Sequence, residues 1–330
     1  MSKLKEIWKR DLETDLQDIA LSKRAGLCAV STRQGSVFCL DKMGKTMWEA
    51  DLDGEINGLR MTDDARFTYL SLFAGKICCL DKSGYETWEY QTQEPLFCMD
   101  HSQKGNMIVA GSQEGFFYNL NSQGELRWKK KLGKNIIKVA ISNSGKMAVA
   151  YSDNKDLVAI DDLGEIIWKS ELEHPALELL MTSKEIYVTQ SNKTSLLLSL
   201  DHEGKQINQI EIEGHIKALD YAQKTNEIVA ATKENSILNL TSEGVVLSRY
   251  DVDFNIQKLA ASKDAKSFVL LDDLSNVLFM EILDDDTEVF YEILCRGKAK
   301  CGTFVSAVYT VQCPKCASER NTVRIIKEKL

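Results

Sequence analysis

Residues 56–92 read INGLRMTDDARFTYLSLFAGKICCLDKSGYETWEYQT. INGLRM is short and apolar, TDDA turns, FTYLSL alternates, FAGK turns again, ICCLD runs apolar, KSG turns, and YETWEYQT ends the stretch. Four short segments with strand-like patterning and three tight turns within forty residues describe a four-stranded antiparallel meander. We letter its strands A to D from inside to outside.

The meander recurs with a period of forty. Trp8, Trp48, Trp88, Trp128 and Trp168 are all five tryptophans of the 330-residue chain. Gly44, Gly84, Gly124, Gly164, Gly204 and Gly244 keep the spacing, as do Leu40-Asp41, Leu80-Asp81, Leu120-Asn121, Ile160-Asp161, Leu200-Asp201 and Leu240-Thr241. Such a fixed period marks a repeat architecture. A lone meander leaves both faces wet, whereas radial stacking against like meanders buries them and makes a β-propeller. The A strands begin near Leu16, Ile56, Leu96, Ile136, Ala176, Ile216 and Ile256, so an all-β propeller of seven blades is expected over residues 1–294.

Each recurring residue has a mechanical role. The short hairpin Asp81-Lys82-Ser83-Gly84 needs φ > 0 near its end, where glycine carries no Cβ penalty. Asp or Asn at its start can bond its own backbone. The Trp four residues later lies on strand D and offers a large apolar face to the neighbouring sheet. The last blade has A, B (SFVLLD) and C (NVLFME) but no obvious D strand. Trp8-Lys9-Arg10-Asp11-Leu12 aligns with Trp48-Glu49-Ala50-Asp51-Leu52 and precedes the first A strand, so it is expected to complete blade seven and remove two sheet edges. The competing segment, Glu288 to Leu294, alternates but lacks the Trp and the glycine.

The pattern Leu-Asp, two residues, Gly, three residues, Trp resembles the tryptophan-docking repeat of the PQQ-like, or quinoprotein-like, β-propellers. The resemblance spans residues 5 to about 281. It departs where Thr would precede the glycine, since Met43, Ser83, Gln123, Leu163, Glu203 and Glu243 stand there, and blades five and six replace Trp with Asn208 and Ser248. WD-repeat propellers share the period, but their Gly-His and Trp-Asp signatures are absent. The resemblance raises the question of a quinone, because Cys78-Cys79 is similar to the adjacent cysteines that PQQ-dependent dehydrogenases bridge beside the cofactor. Cys78 stands in period with Phe38, Tyr118, Val158, Leu198 and Leu238, an apolar core position, and strand neighbours point to opposite faces. We therefore expect two core thiols and no PQQ.

Function is less legible. His101, His174, His202 and His215 are the only histidines, and no nucleophile elbow, HExxH or phosphate loop occurs, so a non-catalytic protein is expected. The residues before each A strand, among them Asp15, Glu55, Asn135, His215 and Asn255, are candidate contacts at the mouth of the central channel. Along strand A, Ile19, Leu59, Met99, Val139, Leu179, Leu219 and Leu259 form an apolar face. Asp18, Arg60, Asp100, Lys138, Glu178, Asp220 and Lys258 occupy the alternate face. Those charges are expected to line a wet channel as a salt-bridged wall, since unpaired charges inside a blade would cost several kcal/mol.

The chain carries −8 overall. From Cys295 to Leu330, eight basic residues oppose Glu319 and Glu328, a net of +6, leaving −14 on residues 1–294. The basic tail is thus expected to be a separate module. It holds Cys295, Cys301, Cys313 and Cys316, with Cys313-Pro314-Lys315-Cys316 in zinc-knuckle spacing. The segment TFVSAVYTVQ alternates like a strand, and NTVRIIKEKL is a candidate partner. This resembles a zinc ribbon holding one tetrahedral Zn²⁺ on four thiolates; iron would accept the same geometry. So short a segment has too little core to fold without such a staple.

Nine cysteines without an apolar leader, and no run of some 18 apolar residues, lead us to expect a cytoplasmic protein that does not enter a membrane. The leading functional expectation is a protein-interaction scaffold or accessory subunit with protein partners. The alternatives are a propeller enzyme using the channel, or a nucleic-acid-associated factor acting through the basic tail.

Overall fold

A computed structural model describes all residues except 1, 25, 104, 192, 193, 286, 297–300, 308, 310–314, 317–320 and 330. Seven four-stranded antiparallel sheets form a β-propeller, one sheet to each repeat. In blade two the strands Ile56–Met61, Phe67–Leu72, Lys76–Asp81 and Glu86–Gln91 run A to D, with Leu59 opposite Leu70 and Leu70 opposite Cys78. Strand C is buried on both faces, while D alternates between exposed and half-buried.

The core consequently lies between blades. Cys78 belongs to a cluster joining blades one and two, and Cys79 to one joining blades two and three. The two neighbours face opposite sides of their sheet, and neither is bridged.

Every A strand opens with a bulge: the register slips between Leu16 and Asp18, Ile56 and Gly58, and at the same place in the other five blades. Strict alternation would send residues three apart to opposite faces. The extra residue lets both Ile56 and Leu59 reach the core, each 0% exposed.

Each tryptophan docks on the next blade. Trp8, Trp48, Trp88, Trp128 and Trp168 lie against Gly44, Gly84, Gly124, Gly164 and Gly204, all in C–D turns and all at positive φ. The indole Nε1 groups of Trp8, Trp88 and Trp168 donate to the carbonyls of Lys42, Ser122 and His202. In blade five, where Asn208 replaces Trp, Ile210 fills the place against Gly244. The turns are held as their composition implies: Asp81 Oδ1 accepts from the Ser83 and Tyr85 amides at 2.8 and 3.0 Å, and Asp41, Asn121, Asp161 and Asp201 repeat the pattern.

The N-terminal strand closes the ring. Ser2–Asp11 pairs antiparallel with strand C of blade seven, Asn276–Asp284, with Lys9 opposite Leu278 and one bulge at Ile7. A cluster containing Ile7, Trp8, Ile19, Val30, Val269 and Val277 then joins blades seven and one.

The competing segment has another role. Thr287–Cys295 is the central strand of a three-stranded tail sheet, flanked by Gly302–Ser306 and Asn321–Lys329. The two tail segments expected to pair with each other therefore both pair with Thr287–Cys295, which supplies two hydrogen-bonding edges. The sheet thus begins ahead of Cys295.

Nor does the tail stand apart from the propeller. The Tyr291 hydroxyl donates to the Ile7 carbonyl and the Tyr309 hydroxyl to the Met43 carbonyl. Val289, Tyr309 and Ile325 pack on the cluster at the seam between blades seven and one. Lys327 pairs with Glu281, and Lys3 with Asp285 at 2.6 Å.

Candidate functional site

All seven A-strand charges line a central cavity of about 360 Å³. Arg60 reaches Asp18 at 3.5 Å and Asp100 at 3.4 Å; Lys258 reaches Asp18 at 3.7 Å, and Lys138 reaches Glu178 at 2.8 Å. Burial disfavours the Arg60 cation, but Asp18 and Asp100 outweigh it and raise its pKa. Three of the carboxylates also work between blades. Asp18 accepts from the Leu59 amide (3.2 Å), Asp100 from that of Ile141 (3.0 Å) and Asp220 from that of Ala261 (2.8 Å). Each aspartate thus ties its A strand to the next blade by a charge-assisted hydrogen bond.

At the A–B loop end the channel is bridged. Lys23 of blade one contacts Asp220 (2.9 Å) and the Tyr221 carbonyl (2.7 Å) of blade six. Lys263 of blade seven contacts Asp63 of blade two at 2.7 Å, and Gln103 of blade three donates to Gln223 of blade six at 3.0 Å. On the wall between, burial lowers the pKa of His101 despite the neighbouring Asp100, favouring the neutral ring. Its ring packs on Tyr69, 5.7 Å between centroids, and its Nδ1 has no hydrogen-bond partner among the described residues.

The five residues expected at the channel mouth are not among the cavity-lining residues. Their carbonyls accept from the B–C hairpins instead: Asp15 from Arg33, Glu55 from Phe73, Asn135 from Asp153, His215 from Lys233 and Asn255 from Asp273. Two of the side chains turn to the same hairpins. His215 Nδ1 lies 2.8 Å from Glu234, and Asn255 donates to Asp273 at 2.6 Å. Burial raises the Glu234 pKa, but hydrogen bonds from His215 outweigh it and bring the carboxyl to about 2. These residues stitch each D–A connection to its own blade.

The second site is in the tail. Cys295 ends the central strand, Cys301 stands just before Gly302–Ser306, and Cys316 comes from the segment leading to Asn321–Lys329. Gly302 and Asn321 both lie opposite Cys295 in register, which brings the three thiols to one end of the sheet. Their sulfurs all lie within 4.8 Å of one another, and those of Cys295 and Cys316 are 3.8 Å apart. Two thiolates each 2.3 Å from a tetrahedral ion stand about 3.8 Å apart, so the spacing fits four-coordinate thiolate ligation. Cys313 lies outside the described residues.

The sequence profile of the family described as outer membrane protein assembly factor BamB, a PQQ-like repeat family, matches residues 5–113 and 75–253. The chain belongs to this family. No curated protein sequence matches it. Among solved structures, a chain in the crystal structure of the mitotic checkpoint complex is similar with a TM-score of 0.73 and 13% identity, covering 84% of this chain and 92% of that one. At that identity the likeness concerns the propeller fold alone.

In this family member two groups of residues escaped the reading of the sequence. The channel-bridging residues carry a signal at the same period: Lys23, Asp63, Gln103, Asn143, Ser183, Gln223 and Lys263 are polar at every repeat. The second group is apolar and exposed. Leu163, Ile166 and Ile167 in blade four, Ile207 in blade five, and Val245, Val246 and Leu247 in blade six project from C–D turns and outer strands. The corresponding residues of blades one to three are mostly polar, among them Lys45, Thr46, Glu86, Thr87, Glu125 and Arg127, with one exposed apolar residue in each blade, Met47, Tyr85 and Leu126.

Proposed function

We propose that this chain is a non-catalytic protein-interaction scaffold, an accessory subunit of a larger cytoplasmic complex. The observation that carries the reading is the apolar outer arc of blades four to six, where Leu163 is 73% and Val245 60% exposed. Exposed apolar groups concentrated on one part of a soluble surface mark a place where a partner binds. Asp161, Asp162, Glu165, Asp201, Glu203 and Glu243 in the same turns suit a partner whose apolar residues are flanked by basic ones. The channel supports the same view, because its charges are engaged with one another and with backbone amides. The seating of the basic tail on its own propeller favours protein contact over nucleic acid.

The test is affinity purification from the native host with the wild type and with Ile167→Glu/Leu247→Glu, after both are shown to melt alike. Loss of a defined set of co-eluting proteins with the variant supports the scaffold reading; an identical set with both chains counts against it.

In the tail, we assign a structural Zn²⁺ to the thiolates of Cys295, Cys301 and Cys316, with Cys313 as the fourth ligand from its sequence spacing. The 3.8 Å sulfur separation supports this reading. Elemental analysis of protein purified without chelators tests it: one zinc per chain is expected, one iron would change the metal, and neither would remove the site.

A further inference from the structure

The ring is closed without a covalent bond, and the tail sits on the place where it closes. Four of the five tryptophans are half-buried, but Trp8 is only 1% exposed. Two neighbours make the difference: Phe279 stacks on the indole at 5.8 Å between centroids, where the other tryptophans lie opposite Cys, Asn or Ala, and the tail covers it as well. The Tyr309 ring packs on the Trp8 indole (6.4 Å between centroids) and edge-on against Tyr291 (5.4 Å). Gly44 is covered from two sides: a Cβ there would lie 2.8 Å from the Tyr309 hydroxyl and 3.0 Å from the indole of Trp8. At the other docking glycines, the nearest atoms all belong to the docked Trp or Ile. The tyrosine hydroxyls bond the Ile7 and Met43 carbonyls, one on each side of the seam.

Both tyrosines are tied to the thiolate cluster. Tyr291 is four residues before Cys295 on the same strand, and Tyr309 lies between Cys301 and Cys316 in the sequence. An ion held by those sulfurs fixes Cys301 and Cys316 on either side of Tyr309 in sequence, which lowers the entropy lost when Tyr309 is seated.

We propose that the metal-loaded tail is the latch of the propeller: thiolate-bound metal seats Tyr309 and Tyr291 across the blade seven–blade one seam, and metal occupancy sets how firmly Ser2–Asp11 is held. This rests on the thiolate–metal reading above. Binding of N-terminal strand and metal is then coupled, since anything that favours the seated tail favours both.

Amide hydrogen exchange on the full-length, reduced chain tests the latch, with zinc added stoichiometrically or removed by a chelator. Metal removal should speed exchange over residues 2–11 at least tenfold and leave strands of blades three to five unchanged. Tyr309→Ala, saturated with zinc, should bind one ion per chain and still show the faster exchange over residues 2–11. A wild type that binds no metal overturns the thiolate reading and the latch with it. A wild type that binds metal, but whose residues 2–11 exchange equally with and without it, overturns the latch alone. Uniform acceleration across all blades would also overturn it, because the effect would then not be local to the seam.

Discussion

Trp88 lies directly beneath Gly124, so that a Cβ at position 124 would stand 2.5 Å from the indole Cε3. The glycine therefore satisfies two demands at once, a φ of +80° and a neighbour with no room for a side chain. The conformational demand alone is worth about 1 kcal/mol for alanine and more for a β-branched residue. The clash adds to it, because the indole is fixed by its bond to the Ser122 carbonyl at 2.9 Å.

Gly124→Val should lower stability by about 4 kcal/mol, near the upper end for single substitutions, while Gln123→Ser one residue earlier should change it by less than about 0.5 kcal/mol. Gln123 is exposed, and only its amide is used, in a bond to Asn121. Urea unfolding of the two variants side by side decides the matter; equal midpoints would mean the turn does not need its glycine.

Trp8→Ala should cost about 3–5 kcal/mol, the range for emptying a fully buried tryptophan site. Deletion of residues 1–13 should do more, because it bares the edge of Asn276–Asp284 along its whole ladder and takes away the seat of the tail. Such an edge invites pairing with another chain. Sedimentation and thermal melting of the truncated chain should show self-association; a monomer with unchanged melting would refute closure by Ser2–Asp11.

The period of forty made the blades, their turns and the closing strand readable, since Trp, Gly and Asp each do one mechanical job at a fixed distance. The tail sheet was harder. Glu288 to Leu294 alternates, and alternation says that Tyr291 and Ile293 face inward without saying which sheet receives them. The mouth residues follow the same logic: periodicity finds equivalent positions, but does not say whether a side chain turns to the channel or, like His215, back to its own B–C hairpin. Nor does any local pattern reveal bonds such as Lys23 to Asp220, which join parts of the chain far apart in sequence. The tail thiols were legible as a cluster, four of the nine cysteines within 22 residues, although only Cys313 and Cys316 have knuckle spacing.

Arg60→Met should destabilise by about 3 kcal/mol, because it leaves Asp18 and Asp100 facing the cavity without their shared cation. Denaturant midpoints of wild type and variant at pH 7 measure the loss. A variant as stable as the wild type would show that the shared cation does not help to hold the ring.

The thiols separate propeller from tail by reactivity. Burial pushes the Cys39, Cys78 and Cys98 thiols up to about 12 and Cys79 to about 11, and raises Cys28 as well. A thiol must ionise to react, so at pH 8 these five should resist alkylation in the folded chain even under long exposure. Cys316 is exposed and Cys301 half-buried, so geometry alone would leave them open to the reagent. Metal-bound sulfur is protected, and a chelator should therefore convert the tail cysteines from unreactive to rapidly labelled while the five propeller cysteines stay unmodified. Peptide mapping by mass spectrometry after a brief pulse of iodoacetamide, with and without chelator, gives the answer. Labelling of Cys301 and Cys316 at the same rate under both conditions would mean no metal shields them, and labelling of Cys78 or Cys98 in the folded chain would mean the blades open far more readily than their packing implies.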